Sequence, residues 1–69
     1  MFNVHLFFDG VRISGGYWHQ IPHVGDTMRV ESRPYGKVTE VIWCMDEPRT
    51  DGQRVNIRIE SIKEPTNDN

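Results

Sequence analysis

Cysteine is almost absent from this 69-residue chain, which contains Cys44 alone. A single cysteine cannot form an intramolecular disulfide, and it excludes a zinc site built on two or more thiolates. The first apolar run, Phe2 to Phe8, is interrupted by polar residues and has neither the basic flank of a signal peptide nor the length of a membrane span. The sequence therefore predicts a cytoplasmic protein without a membrane partner.

Chain length and net charge limit the function further. Sixty-nine residues make one domain, close to the lower limit for a core that folds without disulfides, metal or a partner subunit. We expect a folded domain over residues 1–63 and a disordered polar tail over residues 64–69. The formal net charge is −2 at pH 7, so the chain as a whole does not attract a phosphate backbone. A local basic face is compatible with this total, and an ordinary solvated surface is the alternative.

The N-terminal part of the chain predicts a β-hairpin. Apolar residues alternate with others from Phe2 to Phe8, and Asp9-Gly10 is the pair that a type I′ turn prefers. A second strand, Val11 to Ser14, then returns antiparallel and ends at Gly15-Gly16. Residues 17–25 have no clear period, which predicts a loop that covers one end of the barrel and is anchored by Ile21 and Val24. The Tyr17-Trp18 part of this loop is expected to cover the outer side of a later strand, and an exposed apolar patch for a partner is the alternative.

Three further strands are predicted, at Thr27–Ser32, Lys37–Met45 and Gln53–Ile62, with a turn at residues 33–36. Val38 and Val41 are three residues apart, so strict alternation would put them on opposite faces. A bulge at Thr39-Glu40 restores both valines to the core and bends the strand. Such bending lets a few short strands close into a small barrel. No segment has the spacing of an amphipathic helix.

The middle of the chain carries a family resemblance. Val24-Gly25-Asp26, the strand with Met28 and Val30, and Gly36-Lys37-Val38-x-x-Val41 resemble the SH3-like barrels, especially their KOW-type and Tudor-like members. The resemblance implies an all-β fold, a five-stranded SH3-like small barrel. It implies no particular activity, because a fold of this kind hosts unrelated functions.

No group of residues indicates catalysis or a cofactor. Pro22 and Gly25 disfavour the helix that would bring His19 and His23 to one face as metal ligands. Cys44 is predicted on a strand in apolar surroundings, where a thiolate is disfavoured. Neither a nucleophile-elbow motif nor a phosphate-binding loop is present. We therefore expect a protein that is not an enzyme, with no cofactor and no metal.

Aromatic and arginine residues give the strongest functional signal. Large rings and arginines anchor protein interfaces, and the same residue types stack single-stranded bases and neutralise phosphates. Because the net charge is negative, a protein partner is the preferred hypothesis, and a single-stranded RNA or DNA binder of KOW or Tudor style is the alternative. Loop or core packing is the other interpretation for Trp18 and Trp43. The predicted binding residues are Phe7, Tyr17, Trp18, Tyr35, Arg29 and Arg58.

The size of the chain suits a stand-alone accessory or inhibitor protein, for example of the phage or mobile-element type. An open strand edge would also allow two copies to pair, so the sequence predicts a homodimer as a further arrangement.

Overall fold

The computed structural model describes residues 1–45 and 52–62. The described residues form one five-stranded sheet and no helix, so none of their segments is a helix that could cross a membrane. The sheet has the order β2-β1-β5-β4-β3 and is curled as a half-barrel. The prediction of an all-β, five-stranded fold is confirmed, whereas the tail over 64–69 lies outside the described residues. The strands are β1 (Phe2–Phe8), β2 (Val11–Trp18), β3 (Thr27–Arg29), β4 (Tyr35–Trp43) and β5 (Arg54–Ser61).

The first hairpin has the predicted turn. Asp9 and Gly10 both have positive φ, at 51° and 83°, as a type I′ turn requires. Phe8 pairs with Val11 on the other side of the turn, and the register continues antiparallel from there. The hairpin is therefore confirmed as the sequence predicts it.

Strand β2 does not end at Ser14, so that boundary is wrong. Val4 pairs with Gly16 and Leu6 with Ile13, which leaves two residues of β2 opposite one residue of β1. This bulge passes through Gly15, where a Cβ would collide with the carbonyl oxygen of Val4. The glycine pair thus lets the strand continue instead of ending it.

The predicted loop over residues 17–25 is corrected by the same observation. Tyr17 and Trp18 belong to β2, and the sheet order puts β1 and β5 between them and β4. They therefore cannot cover the outer side of β4. Ile21 packs against the core as predicted, but Val24 is 62% exposed and anchors nothing there.

The bulge in β4 is confirmed. Val38 pairs with Ile59 and Glu40 pairs with Arg58, so Thr39 is the extra residue. Val38 is 1% exposed, and Val41 packs against the core from the other side of the bulge.

The turn between β3 and β4 occurs earlier than predicted. The N–H of Arg33 donates to the carbonyl of Val30 at 3.1 Å, and Glu31 has the left-handed φ of 56°. Gly36 was predicted in the turn but is a buried residue of β4, where a Cβ would collide with side chains of Ile59 and Phe8. Glycine is therefore required at position 36 because it has no side chain, and not because of its backbone freedom.

In the part of the chain that the structure describes, one face of the sheet contains all the buried apolar side chains, and we call it the core face. Strands β1 and β5 run parallel, with Leu6 beside Ile57, and this pairing joins the hairpin to β4. The residues buried on the core face are Val4, Leu6, Phe8, Val38, Val55, Ile57 and Ile59. Around them lie half-buried apolar residues, among them Trp18, Met28 and Val30. The opposite side of the sheet is called the outer face below.

The two edges of the sheet meet at one point. Ser14 in the edge strand β2 donates its hydroxyl hydrogen to Oε2 of Glu31, just beyond the other edge strand, at 2.7 Å. In a flat sheet these edges would be four strand spacings apart, or about 19 Å at 4.8 Å per spacing. The contact therefore requires the sheet to curl, and we call it the seam contact.

Candidate binding surface on the outer face

The outer face is much more basic than the chain as a whole. Alternation along the strands directs five cations and two glutamates to this face, which gives it a formal charge of +3, against −2 for the complete chain. The cations are Arg12, Arg29, Lys37, Arg54 and Arg58, and the glutamates are Glu40 and Glu60. Positive charge is therefore concentrated on the side of the sheet that does not form the core.

Phe7 lies at the centre of the outer face with an arginine on each side. Its cross-strand partners are Arg12 in β2 and Arg58 in β5. Arg12 Nη2 lies 2.9 Å from Nδ1 of His5, and Arg58 Nη1 lies 3.7 Å from Oε1 of Glu40. Both guanidinium groups are thus oriented by neighbours on the same face.

A shallow hollow of about 280 Å³ opens beside Phe7 and Arg58, with Ile42 and Asn56 as its other walls. Ile42 is an exposed apolar side chain. The centre of the outer face therefore offers an apolar surface bordered by cations, which is the composition typical of an interface anchor.

The remaining aromatic residues of this face lie at two corners. Tyr17 is the penultimate residue of β2 and is 53% exposed. Tyr35 begins β4, next to the edge strand β3, and the guanidinium carbon of Arg29 lies 5.4 Å from the centroid of its ring, a cation–π distance. In the order of the sheet, β1 and β5 lie between the two strands that carry these tyrosines.

Five of the six predicted binding residues thus lie on the outer face, and Trp18 does not. Trp18 pairs with Phe2 and packs against the buried cluster on the core face. The bulge at Gly15 sets the phase of β2 beyond it, so Tyr17 faces outward and Trp18 inward. The position of Trp18 on the core face agrees with the alternative interpretation, in which this residue packs against the core.

Sequence reasoning missed part of this surface. Arg54 and Lys37 join the outer face only because β5 lies between β1 and β4, and the parallel β1–β5 pairing had no local sequence signal. Arg12, the direct cross-strand neighbour of Phe7, was not among the predicted binding residues.

A second exposed apolar region lies on the core-face side. It is a groove of about 240 Å³ between the segment from Ile21 to Val24 and the end of β4. Trp43 is 45% exposed there, and its ring meets that of Phe2 edge-on at 5.3 Å. The described residues that line the groove include no lysine or arginine, so the groove differs chemically from the outer face.

The histidines and the cysteine are not gathered into a cluster. His5 contacts Arg12 on the outer face, and the backbone N–H of His23 donates to Oδ2 of Asp26 at 2.8 Å in a turn. Cys44 follows β4 and its N–H donates to the carbonyl of Arg54. In residues 1–45 and 52–62, no group of three or more His, Cys, Asp or Glu side chains is placed to hold a metal.

Comparison with known proteins assigns no family to this chain. No family model, no curated protein and no solved structure matches it. The chemistry of its surfaces is therefore the basis on which a function is proposed.

Proposed function

We propose that this protein is a non-enzymatic interaction module that binds an acidic surface of another protein through its outer face. The observation that supports the proposal best is the position of Phe7 between Arg12 and Arg58 on a face of formal charge +3. Buried aromatic and arginine anchors supply most of the energy of protein interfaces. Surrounding charges orient the partner and raise the association rate.

The two glutamates on the outer face favour a protein partner over a nucleic acid. Arg58 lies directly opposite Glu40, and Lys37 lies directly opposite Glu60. Each carboxylate repels the evenly spaced phosphates of a nucleic acid, whereas a protein surface can present a matching cation at the same place. Mixed charge therefore suits a partner with a defined charge pattern.

Single-stranded RNA or DNA is the second candidate. Accessible rings next to arginines on a sheet face are the elements that stack bases and neutralise phosphates, and the half-buried Phe7 between two arginines supports this alternative. It would place the chain with the KOW-type or Tudor-like members of the SH3-like barrels. Its affinity would fall steeply with salt concentration.

The protein would act in the cytoplasm as a stand-alone accessory or inhibitor protein, as its small size suggests. A homodimer is a further prediction. It would use the backbone groups along β2, the longer of the two edge strands, and sedimentation at increasing protein concentration would detect it.

The test compares capture of partners from the native host by three forms of the chain. The double variant Phe7→Ser, Tyr17→Ser removes two rings of the outer face, and Trp43→Ser is the matched control on the core-face side. We expect a discrete protein to be captured by the wild type and by the control and lost with the double variant. Equal capture by all three forms would overturn the proposal.

A titration with single-stranded oligonucleotides separates the two candidates. We expect no saturable change in tryptophan fluorescence at physiological salt concentration. Saturable binding that is lost with the double variant and weakens steeply with salt would replace the protein partner with a nucleic acid.

A further inference from the structure

A hollow of about 340 Å³ lies at the corner of the sheet where β3 turns into β4. Its lining residues are Arg29, Ser32, Arg33, Pro34, Tyr35 and Ile62. Two guanidinium groups and two hydroxyl groups are therefore combined with the apolar surfaces of a proline, an isoleucine and a tyrosine ring. The sequence predicted a strand as far as Ser32 and a turn at residues 33–36. Arg29 and Tyr35 were predicted as binding residues, whereas residues 32–34 and Ile62 were not considered as part of a site.

Both arginines of this hollow are held in place by neighbours. Arg33 Nη1 lies 3.0 Å from Oε1 of Glu31, and the guanidinium of Arg29 lies over the ring of Tyr35 at 5.4 Å. An arginine that is already oriented loses less side-chain entropy when it binds an anion. The two guanidinium groups are thus preorganised for an anionic ligand.

Glu31 neutralises only part of the positive charge of this hollow. Its Oε1 accepts from Arg33 and its Oε2 accepts from Ser14, so both oxygens have partners. These hydrogen bonds, that of Ser14 first, and the charge of Arg33 lower the pKa of Glu31 below its ordinary value. One ionised glutamate beside two arginines leaves a local charge of +1 for a ligand.

We propose that this corner binds a phosphomonoester, with the phosphate against Arg29 and Arg33 and its carrier group against Tyr35, Pro34 and Ile62. Arginine forks match phosphate oxygens in pairs, and hydroxyl groups such as that of Ser32 add single donors. The hollow is larger than a phosphate ion requires, and its apolar walls give the carrier a place. The inference does not depend on the proposed partner, because the hollow would bind a small ester by itself.

The ester could be a free small molecule or a phosphorylated side chain of a protein. The phosphate chemistry is the same in both cases. A phosphotyrosine peptide that binds more tightly than phenyl phosphate would assign the site to a phosphorylated chain, and equal affinities would assign it to small esters. Either result supports a phosphomonoester site.

The direct test is a titration of the isotope-labelled chain with phenyl phosphate, followed by nuclear magnetic resonance. We expect saturable shifts confined to Arg29, residues 32–35 and Ile62, with a Kd in the millimolar range. Arg29→Gln should weaken binding at least about tenfold, and Arg29→Lys should weaken it less, because the lysine keeps the charge but not the fork. Binding should also weaken below about pH 6, where the phosphate dianion takes up a proton and becomes a monoanion.

Three controls make the outcome decisive. Phenylacetate has the same ring with a carboxylate, and equal affinity for it would overturn the choice of phosphate. Inorganic phosphate that binds as tightly as the ester would overturn the role of the apolar walls. Absence of saturable shifts, or identical titrations of the wild type and a folded Arg29→Gln variant, would overturn the site altogether.

Discussion

The core face and the outer face are built from alternate residues of the same strands but have opposite chemistry. In β5, Ile57 is completely buried on the core face, while its neighbour Arg58 is exposed on the outer face beside Phe7. The core face contributes burial of apolar surface, and the outer face contributes charge, the exposed ring of Tyr17 and the half-buried rings of Phe7 and Tyr35. In so small a domain, stability and binding can therefore be changed separately by substitutions one residue apart.

The largest effect is expected from a truncation on the core face. Ile57 has no exposed surface, and replacement of such a residue by alanine costs about 2–5 kcal/mol. Ile57→Ala should therefore remove much of the free energy of unfolding, which urea denaturation followed by fluorescence measures. A loss no larger than that of Asn56→Ala, one residue away on the outer face, would contradict the assignment of the core.

The bulge in β2 gives the next largest effect. In Gly15→Ala the new methyl group would collide with the backbone oxygen of Val4, whereas at Gly16 the nearest atom is 3.5 Å away, in the side chain of Trp18. Overpacking of this kind costs about 1–3 kcal/mol. Thermal unfolding should show a clear loss for Gly15→Ala and little change for Gly16→Ala. Similar melting of the two variants would mean that the bulge is not at Gly15.

On the outer face the expected change is in binding instead of stability. Arg58 is exposed, and its contact with Glu40 is a surface ion pair, so Arg58→Gln should change the free energy of unfolding by less than about 0.5 kcal/mol. The same variant should bind the captured partner about tenfold more weakly. Arg58→Lys keeps the positive charge at the same position and is the matched control, for which a smaller loss of affinity is expected. Equal binding by the wild type and Arg58→Gln would exclude Arg58 from the interface.

The smallest effect concerns the seam contact. The pKa of Glu31 is lowered in the folded chain, so its stabilising contribution is present at neutral pH and is lost as the pH falls through that lowered pKa. Ser14→Ala should melt slightly below the wild type at pH 7, and the difference should vanish in acid. A difference that is independent of pH would exclude Glu31 as the partner of Ser14.

Local patterns in the sequence predicted the hairpin and the bulge of β4. The hairpin at Asp9-Gly10 and the bulge between Val38 and Val41 could be predicted because a turn type and a change in the apolar alternation both depend on neighbouring residues. The predicted end of β2 at Ser14 was wrong, because in the sequence a glycine that allows a bulge cannot be distinguished from one that ends a strand. The prediction of Gly36 in a turn was also wrong. A small residue is needed at this position because of Phe8 and Ile59, which are distant in sequence.

Non-local pairing explains what the sequence did not predict about the site. The parallel contact of β1 with β5 sets Phe7 beside Arg58, and nothing in either strand encodes the other as a neighbour. The groove at Trp43 likewise depends on where the segment from Ile21 to Val24 lies. Residue types indicated the kind of surface, but only the sheet order determined which residues share it.

The central claim, that the outer face binds a protein, is tested most directly by a photo-cross-linking residue placed on each side of the sheet. Tyr17 and Val24 are similarly exposed, at 53% and 62%, and they lie on the outer-face side and the core-face side respectively. In cells of the native host, the account predicts a cross-link to a discrete protein from position 17 and none from position 24. A protein cross-linked from position 24 alone, or only nucleic acid cross-linked from position 17, would contradict it.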